Sequence, residues 1–246
     1  MLNLFRIFGY EITYISKKFP EDMDREFEEI YKKCKEYTMT SIERMYALYK
    51  SVEYVVNSKI PGDFVECGVW KGGSSMVIAH SLLKMKEMDR KIYLYDTFAG
   101  MSKPGQKDIR ISDSLPVIKI WEKKERKNYN EWDFSPLSEV EKNMFSTGYP
   151  RNNIIFVKGK VEETIPRTIP DQIAILRLDT DWYESTCHEL NCLFPLLSVN
   201  GVLIIDDYGH YAGAKEAVDK YFKKNNIPIL LNRIDYTGRL GIKLRK

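Results

Sequence analysis

The sequence predicts an α/β fold in which a doubly wound, mainly parallel sheet of seven strands carries helices on both faces. Three observations support this prediction. Five apolar runs of strand length alternate with helical stretches or long connections, a pattern typical of right-handed parallel crossovers. Two further apolar runs end the chain with the spacing of a hairpin. A helical segment precedes the first run.

The five apolar runs are expected to form the parallel part of the sheet. In chain order they are DFVECGV, KIYLYDTF, NIIFVKG, IAILRLDT and GVLIIDD. Nearly continuous apolar character is typical of strands that are buried on both faces. The last two runs, IPILL and RLGIKL, are expected to pair as a hairpin whose turn lies near residues 236–238.

Helices are predicted before and after the parallel runs. Residues 40–43 match a capping box, and the helical spacing of apolar residues after it predicts a helix over about 41–57. The segment AGAKEAVDKYFKKNN, after the fifth run, has an apolar stripe and is also expected to be helical. We therefore expect an N-terminal helical extension over residues 1–60 and an α/β domain over residues 61–246.

Residues 98–150 do not fit this alternation. They contain two tryptophans and many charges but no strand pattern. A connection of this length inside a compact α/β domain is usually functional or disordered, and its aromatic content favours an ordered lid. We therefore predict that this insertion covers a binding site and selects what enters it.

Composition and charge exclude several classes of protein. The 38 Lys and Arg against 35 Asp and Glu give a net charge of +3, which is too weak to predict binding to nucleic acid or to an anionic membrane surface. We find no membrane-spanning segment. The first 19 residues lack the pattern of a signal peptide, so we expect a docked N-terminal helix and a cytoplasmic protein. The four cysteines lack framework spacing and are expected to be reduced.

Polar residues interrupt the apolar runs at their carboxyl ends, where open parallel sheets bind ligands. Gly68 follows the first run, and Gly72 and Ser74 open the next helix, so a ligand could approach the backbone closely. Glu66 lies inside that run, and a buried carboxylate needs a partner such as a cationic ligand. Asp96 ends the second run, where an acid can accept hydrogen bonds from both hydroxyls of a ribose.

The same residues also allow a purely structural interpretation. The glycine-rich turn matches neither G-x-G-x-x-G nor G-x-x-x-x-G-K-[ST], which disfavours dinucleotide and nucleoside triphosphate sites. A plain turn would equally explain the glycines. Asp96 could simply cap the turn that follows it.

Four aspartates end the fourth and fifth runs. Asp179 and Asp181 follow the fourth run, and Asp206 and Asp207 end the fifth. Adjacent strands would bring these carboxylates around one crevice, where they cannot all stay ionised without protons or a cation. Oxygen ligands without clustered histidine or thiolate favour Mg²⁺, with Mn²⁺ or Ca²⁺ as alternatives. Helix capping is the structural alternative, but four acids exceed what capping requires.

Four motifs carry a resemblance to a known family. GDFVECGVWKGGSS, YDTFAGM, LRLDTDWYEST and IDDYG followed by GAKEAVD resemble, in order and spacing, the macrocin O-methyltransferase family of class I S-adenosylmethionine-dependent methyltransferases. The resemblance covers about residues 38–245. It implies a Rossmann-like methyltransferase sheet, a divalent metal and methylation of a sugar hydroxyl on a glycosylated natural product or surface glycan. It also makes a homodimer a reasonable expectation.

The resemblance also implies roles for individual residues. Asp179, Asp206 and Asp207 would be the metal ligands and Asp181 the catalytic base, although the division between Asp179 and Asp181 stays open. The residues expected to bind the cofactor are Glu66, Gly68, Gly72, Ser74, Asp96, Thr97, Lys160 and Val161.

Two other functions compete with this interpretation. A metal-dependent hydrolase could use the same aspartates, but it would leave Glu66 and Asp96 without a purpose. A non-catalytic methyltransferase-like module could bind a partner protein through the insertion, but it would not need the four aspartates together. We therefore expect an O-methyltransferase that depends on S-adenosylmethionine and on a divalent metal.

Overall fold

The computed structural model describes residues 19–245. The strands are β1 Asp63–Cys67, β2 Ile92–Asp96, β3 Ile109–Arg110, β4 Leu115–Pro116, β5 Ile154–Lys158, β6 Ile173–Leu178, β7 Leu197–Ile205, β8 Asn232–Arg233 and β9 Arg239–Ile242. The α-helices are α1 Arg25–Cys34, α2 Ile42–Asn57, α3 Gly73–Lys84, α4 Ile118–Lys124, α5 Leu137–Ser146, α6 Val161–Thr164, α7 Tyr183–Leu193 and α8 Ala212–Lys224.

Seven of these strands form one sheet in the order β5-β2-β1-β6-β7-β9-β8. The first five are parallel, and β9 runs antiparallel to both β7 and β8. The chain builds outward from β1 to β5 on one side and then returns to place β6 and β7 on the other. The predicted doubly wound, seven-stranded fold is therefore confirmed, and its switch point lies between β1 and β6.

Two apolar layers cover the sheet because successive strand residues point to opposite faces. Phe64 and Ile175 belong to the layer that packs on α1, α2 and α3. Val65 and Leu176, their neighbours along the chain, belong to the layer that packs on α7 and α8. Both faces are thus buried, which explains the nearly continuous apolar runs of the parallel strands.

The final hairpin differs from the prediction in one strand. The run IPILL is not a strand, and β8 begins only after it. Ile227 and Ile229 pack on the second layer, and Pro228 between them has no N–H to donate to a neighbouring strand. The turn lies near its predicted place, where the N–H groups of Thr237 and Gly238 donate to Asp235 Oδ1.

Helix α2 begins one residue later than the capping box predicts. Ser41 is the N-cap, and its hydroxyl accepts from the N–H of Arg44 at 3.2 Å. Thr40, the predicted cap, instead accepts a hydrogen bond from the Arg177 guanidinium at 3.1 Å. The assignment of Thr40 is therefore wrong, because a charged group of the sheet takes its hydroxyl.

Residues 98–150 contain the β3–β4 ribbon and helices α4 and α5. Trp121 is buried on α4 and donates its indole N–H to the Met101 carbonyl, and Val140 of α5 belongs to the first apolar layer. The division at residue 60 and the lid role of this insertion stay predictions. The predicted N-terminal helix lies mainly outside the described residues. Among the helices that are described, none is long and apolar enough to cross a membrane.

Candidate active site

A cavity of about 720 Å³, including its open mouth, lies at the carboxyl ends of the parallel strands. Its wall is formed by the chain at the ends of four strands, namely residues 68–70 after β1, 95–97 at the end of β2, 159–162 after β5 and 179–181 after β6. Residues 100–102, Asp133, Ser185 and Met39 complete the wall. The cavity therefore sits at the switch point, where the fold predicts a ligand.

Gly68 is required where the wall passes closest to β6. Its φ is +85°, and a Cβ built there would lie 2.0 Å from the Asp179 carbonyl oxygen. The backbone is fixed on both sides, because the Gly68 N–H donates to Tyr95 and the Asp179 N–H donates to Cys67. Only glycine tolerates both the conformation and the contact.

Asp96 organises the wall through backbone hydrogen bonds. One carboxylate oxygen accepts from the N–H groups of Val69 at 2.7 Å and Trp70 at 3.1 Å, and the other accepts from Phe98 at 2.7 Å. Burial raises the pKa of Asp96, and these three bonds oppose that rise. Asp96 therefore ties the loop after β1 to the end of β2, in addition to facing the cavity as predicted. Thr97, Lys160 and Val161 line the same cavity.

Glu66 does not line the cavity, because its carboxylate has partners inside the protein. Arg177 donates to it at 2.6 Å, and the Ser75 hydroxyl donates to its other oxygen. Glu66 and Arg177 face each other in register on β1 and β6. The inference that a cationic ligand pairs with Glu66 is therefore wrong, since a buried arginine fills that role.

Gly72 and Ser74 also lie outside the cavity wall. Gly72 caps α3 with a φ of +91°, and a Cβ there would lie 3.4 Å from the Val140 side chain of α5. The Asn143 side chain donates to the Lys71 carbonyl and holds α5 in place over this turn. Gly72 thus faces α5, and the expected contact of Gly72 and Ser74 with the cofactor stays a prediction.

Three of the four predicted aspartates converge on one point. Carboxylate oxygens of Asp179, Asp181 and Asp207 lie within 4.8 Å of one another. Burial is the largest cause that raises the pKa of each group well above its usual range, and neighbouring carboxylates raise all three further. Asp207 Oδ2 is buried and has no hydrogen-bond partner in the described part of the chain.

Asp206 is separated from these three by its direction. Arg177 donates to Asp206 Oδ1 at 2.5 Å, and Arg44 of α2 forms an ion pair with Oδ2. Asp206 is not among the carboxylates that converge with Asp179, although its charge reaches all three of them. The cluster therefore differs from the predicted ligand set of Asp179, Asp206 and Asp207 in having Asp181 instead of Asp206.

The cluster of Asp179, Asp181 and Asp207 fits a hard divalent cation. Among residues 19–245, an ion pair is formed by Asp179 alone of the three, since Arg177 Nη1 lies 2.7 Å from its Oδ2. The remaining negative charge and the orphaned oxygen of Asp207 need a proton or a cation. An all-oxygen ligand set without histidine or cysteine suits Mg²⁺, Mn²⁺ or Ca²⁺.

Three non-glycine residues of the cavity wall have left-handed backbone conformations. The φ angles are 48° at Trp70, 50° at Asp133 and 71° at Asp181. Such conformations are uncommon outside glycine and cluster at functional sites. Each places a side chain at the cavity that a regular strand or helix would turn elsewhere.

The sequence analysis missed three charged residues of this region, namely Arg44, Asp133 and Arg177. A signal existed for Arg177, because a lone cation inside an apolar run must meet an anion once it is buried. Arg44 lies on the polar side of a helix start and gives no such signal. Asp133 lies in the insertion, where the sequence has no pattern that predicts direction.

The fold and the site together define a class. A parallel sheet with an antiparallel strand inserted at one edge, and an acid-lined cavity at its switch point, is the architecture of Rossmann-like methyltransferases. Residues 12–241 match the family model described as Macrocin-O-methyltransferase (TylF). The chain belongs to the macrocin O-methyltransferase family.

Curated relatives and solved structures agree with this assignment. Demethyldecarbamoylnovobiocin O-methyltransferase of Streptomyces niveus is 32% identical over 208 residues, which cover 82% of this chain and 74% of the relative. The 8-demethyl-8-(2,3-dimethoxy-alpha-L-rhamnosyl)-tetracenomycin-C 4'-O-methyltransferase of Streptomyces olivaceus has the same identity and coverage. The structure of the O-methyltransferase NovP matches with a TM-score of 0.75 and 30% identity over 85% of this chain and 83% of its own.

These comparisons confirm the family resemblance and the enzyme class. The protein is an S-adenosylmethionine-dependent O-methyltransferase. The calicheamicin methyltransferase CalS11, at 20% identity and a TM-score of 0.59, matches in fold alone. The comparisons support neither of the two alternatives from the sequence analysis, the metal-dependent hydrolase and the non-catalytic binding module.

Proposed function

We propose that this enzyme methylates a hydroxyl group of a sugar on a glycosylated natural product or surface glycan, with the help of a divalent cation. The observation that carries the proposal is the convergence of Asp179, Asp181 and Asp207, of which Asp179 and Asp181 line the cavity. One relative is named for 4'-O-methylation of a product that carries a rhamnosyl group, which supports a sugar acceptor.

The methyl donor would occupy the cavity at the switch point. S-adenosylmethionine supplies a methyl group on a positively charged sulfur, ready for attack by an oxygen nucleophile. In the proposal, Asp96 and Thr97 face its ribose, and Lys160 and Val161, after β5, face its adenine. The absence of a side chain at Gly68 leaves room for the donor to approach the backbone.

Asp181 is proposed as the base that removes the proton of the acceptor hydroxyl. Arg177 engages Asp179 at 2.7 Å and makes it the weaker candidate. Asp181 lines the cavity and forms no ion pair with any described residue, so its carboxylate is open to the proton of the acceptor. Near-attack alignment of the two reactants would contribute roughly 7–11 kcal/mol.

Asp179, Asp181 and Asp207 would hold the cation. A divalent cation bound there would lower the pKa of a nearby hydroxyl and fix its orientation. The three aspartates would also contribute without the cation. Their combined negative charge attracts the proton that leaves the acceptor hydroxyl. Magnesium dependence, homodimer formation and cytoplasmic location stay predictions.

The experiment combines labelled methyl donor with a panel of acceptors. S-adenosylmethionine with a ¹⁴C-methyl group is incubated with rhamnosylated natural products, their aglycones and free rhamnose, with Mg²⁺ or with a chelator. We expect label in a glycoside but not in its aglycone, loss of the reaction with chelator and recovery with Mg²⁺. Undiminished methylation in chelator would refute the metal, and label in the aglycone would refute the sugar acceptor.

A further inference from the structure

Asp133 is a carboxylate in the cavity wall without an assigned role. It belongs to the insertion and lies half-buried. Its side chain has no hydrogen bond and no ion pair with any residue from 19 to 245, although the charge of Lys124 is close enough to favour its ionised form. A charged group in a cavity wall that lacks a fixed partner is available to a ligand.

The backbone around Asp133 is held firmly. The N–H of Trp132 donates to the buried Asn130 side chain at 2.9 Å, and the Trp132 carbonyl accepts from Met101 at 3.0 Å. The Trp132 ring packs edge to face on Trp182 at 5.8 Å. Asp133 itself adopts a left-handed φ of 50°, which aspartate and asparagine tolerate better than other side chains. Its carboxylate is therefore presented to the cavity by a rigid support.

Asp133 lines the same cavity as Asp96 and Asp181, the residues proposed to face the donor ribose and the acceptor hydroxyl. The charge of Asp133 raises the pKa of Asp181, and the charge of Asp96 raises the pKa of Asp133, in each case by less than burial does. Asp133 is therefore close enough to both groups to interact with them electrostatically. If the ribose lies at Asp96 and the acceptor oxygen at Asp181, the sulfur must lie between them. Asp133 is then near the atom that carries the positive charge of the donor.

We propose that Asp133 makes the enzyme distinguish methyl donor from spent product. This inference rests on the proposed function. The donor has a positively charged sulfonium, which the carboxylate stabilises. When the methyl group moves to the acceptor oxygen, the electron pair of the broken C–S bond stays on sulfur, and the resulting thioether is neutral. Asp133 then no longer favours the bound nucleoside, which promotes its release.

The test compares the affinities of the two nucleosides by calorimetric titration without acceptor. The probes are S-adenosylmethionine and S-adenosylhomocysteine, with wild type, Asp133→Asn and Lys124→Gln. Asparagine retains the shape and the left-handed backbone. We expect Asp133→Asn to weaken donor binding by about tenfold and product binding by less than about twofold, the effect of removing one charge. Lys124→Gln, which removes an opposing charge, should shift the ratio of the affinities the other way.

The outcomes separate this inference from the proposed function. Equal loss of both affinities, or no change in either, overturns the role of Asp133 while the methyltransferase proposal stands. Wild-type protein that binds neither nucleoside overturns both. The thermal midpoint of each variant shows whether it is folded. If Asp133→Asn fails to fold, the ratio of donor to product affinity measured for Lys124→Gln decides alone. An unchanged ratio in that variant overturns the inference.

Discussion

Two groups of carboxylates lie side by side at the carboxyl ends of β1, β6 and β7, and they differ in what balances their charge. Glu66 and Asp206 are paired with the buried Arg177, and Asp206 also with Arg44. Asp181 and Asp207 have no ion pair with any described residue and crowd against Asp179, which contacts both groups. Asp206 and Asp207, although neighbours in sequence, thus belong to different groups.

This difference shows how a fold can hold several unpaired carboxylates together and remain stable. Arg177 contacts three carboxylates, and although burial would lower its pKa, their charges raise it well above its usual range. This paired group anchors the ends of β1, β6 and β7 to each other, and Arg44 extends the anchor to Asp235 in the final hairpin. The unpaired group can then remain unbalanced until a cation or proton arrives.

The largest expected effect comes from removing the shared arginine. Arg177→Met leaves Glu66 and Asp206 buried with too little positive charge, and the free energy of unfolding should fall by about 3–5 kcal/mol. Urea denaturation at pH 7 measures it. Arg110→Met is the matched control, because Arg110 pairs with the partly exposed Asp113 and its loss should change the free energy of unfolding far less. Equal losses in the two variants would show that the paired group does not stabilise the fold.

A smaller pair of effects should have opposite signs. Asp206→Asn weakens two charged contacts and should lower the free energy of unfolding by about 2 kcal/mol. Asp207→Asn relieves repulsion among the unpaired carboxylates and should raise it by about 1 kcal/mol when no metal is present. Both variants are measured by urea denaturation in chelator at pH 7. Equal destabilisation by both substitutions would contradict the distinction between paired and unpaired carboxylates.

A pH-dependent effect concerns an unpaired carboxyl on the other face of the sheet. Glu189 is fully buried, accepts from the Thr180 hydroxyl at 2.9 Å, and has a second oxygen without a partner among residues 19–245. Burial raises its pKa well above the usual value of 4.5. Its contribution to stability is therefore fully present below pH 4.5 and is lost as the pH rises through the raised value.

Glu189→Gln removes this titration while keeping the acceptor for Thr180. The free energy of unfolding of the variant, minus that of wild type, should increase with pH from 5 to 8, by up to about 1.4 kcal/mol per pH unit until the folded-state pKa is reached. Urea denaturation at four pH values in this range gives the difference. A difference that is flat or falls with pH would mean that Glu189 is ionised in the folded protein.

Much of the fold was predictable because the apolar runs encode it directly. The five parallel strands and α8 lie where the runs and the helical stripe place them. The strand missing from IPILL could not be predicted from composition, since its isoleucines are equally apolar whether they pair in a sheet or pack on one. The shifted cap of α2 depended on a partner, Arg177, that is distant in sequence.

The site was predictable in position but not in the direction of its side chains. The predicted ends of β6 and β7 pointed to all four aspartates. The sequence Asp206-Asp207 does not show, however, which of the two carboxylates faces Arg177. Glu66 was identified as a buried acid, but its partner comes from β6 through strand register. Direction is set by tertiary contacts that a single sequence does not contain.

The most direct test of the account is the Mg²⁺ affinity of two adjacent variants, Asp206→Asn and Asp207→Asn. Calorimetric titration with Mg²⁺ is performed on each folded variant and on wild type. The account predicts that Asp207→Asn weakens binding by at least about tenfold, whereas Asp206→Asn changes it by less than about threefold despite its lower stability. Loss of Mg²⁺ binding in Asp206→Asn with retention in Asp207→Asn would contradict the division between paired and unpaired carboxylates.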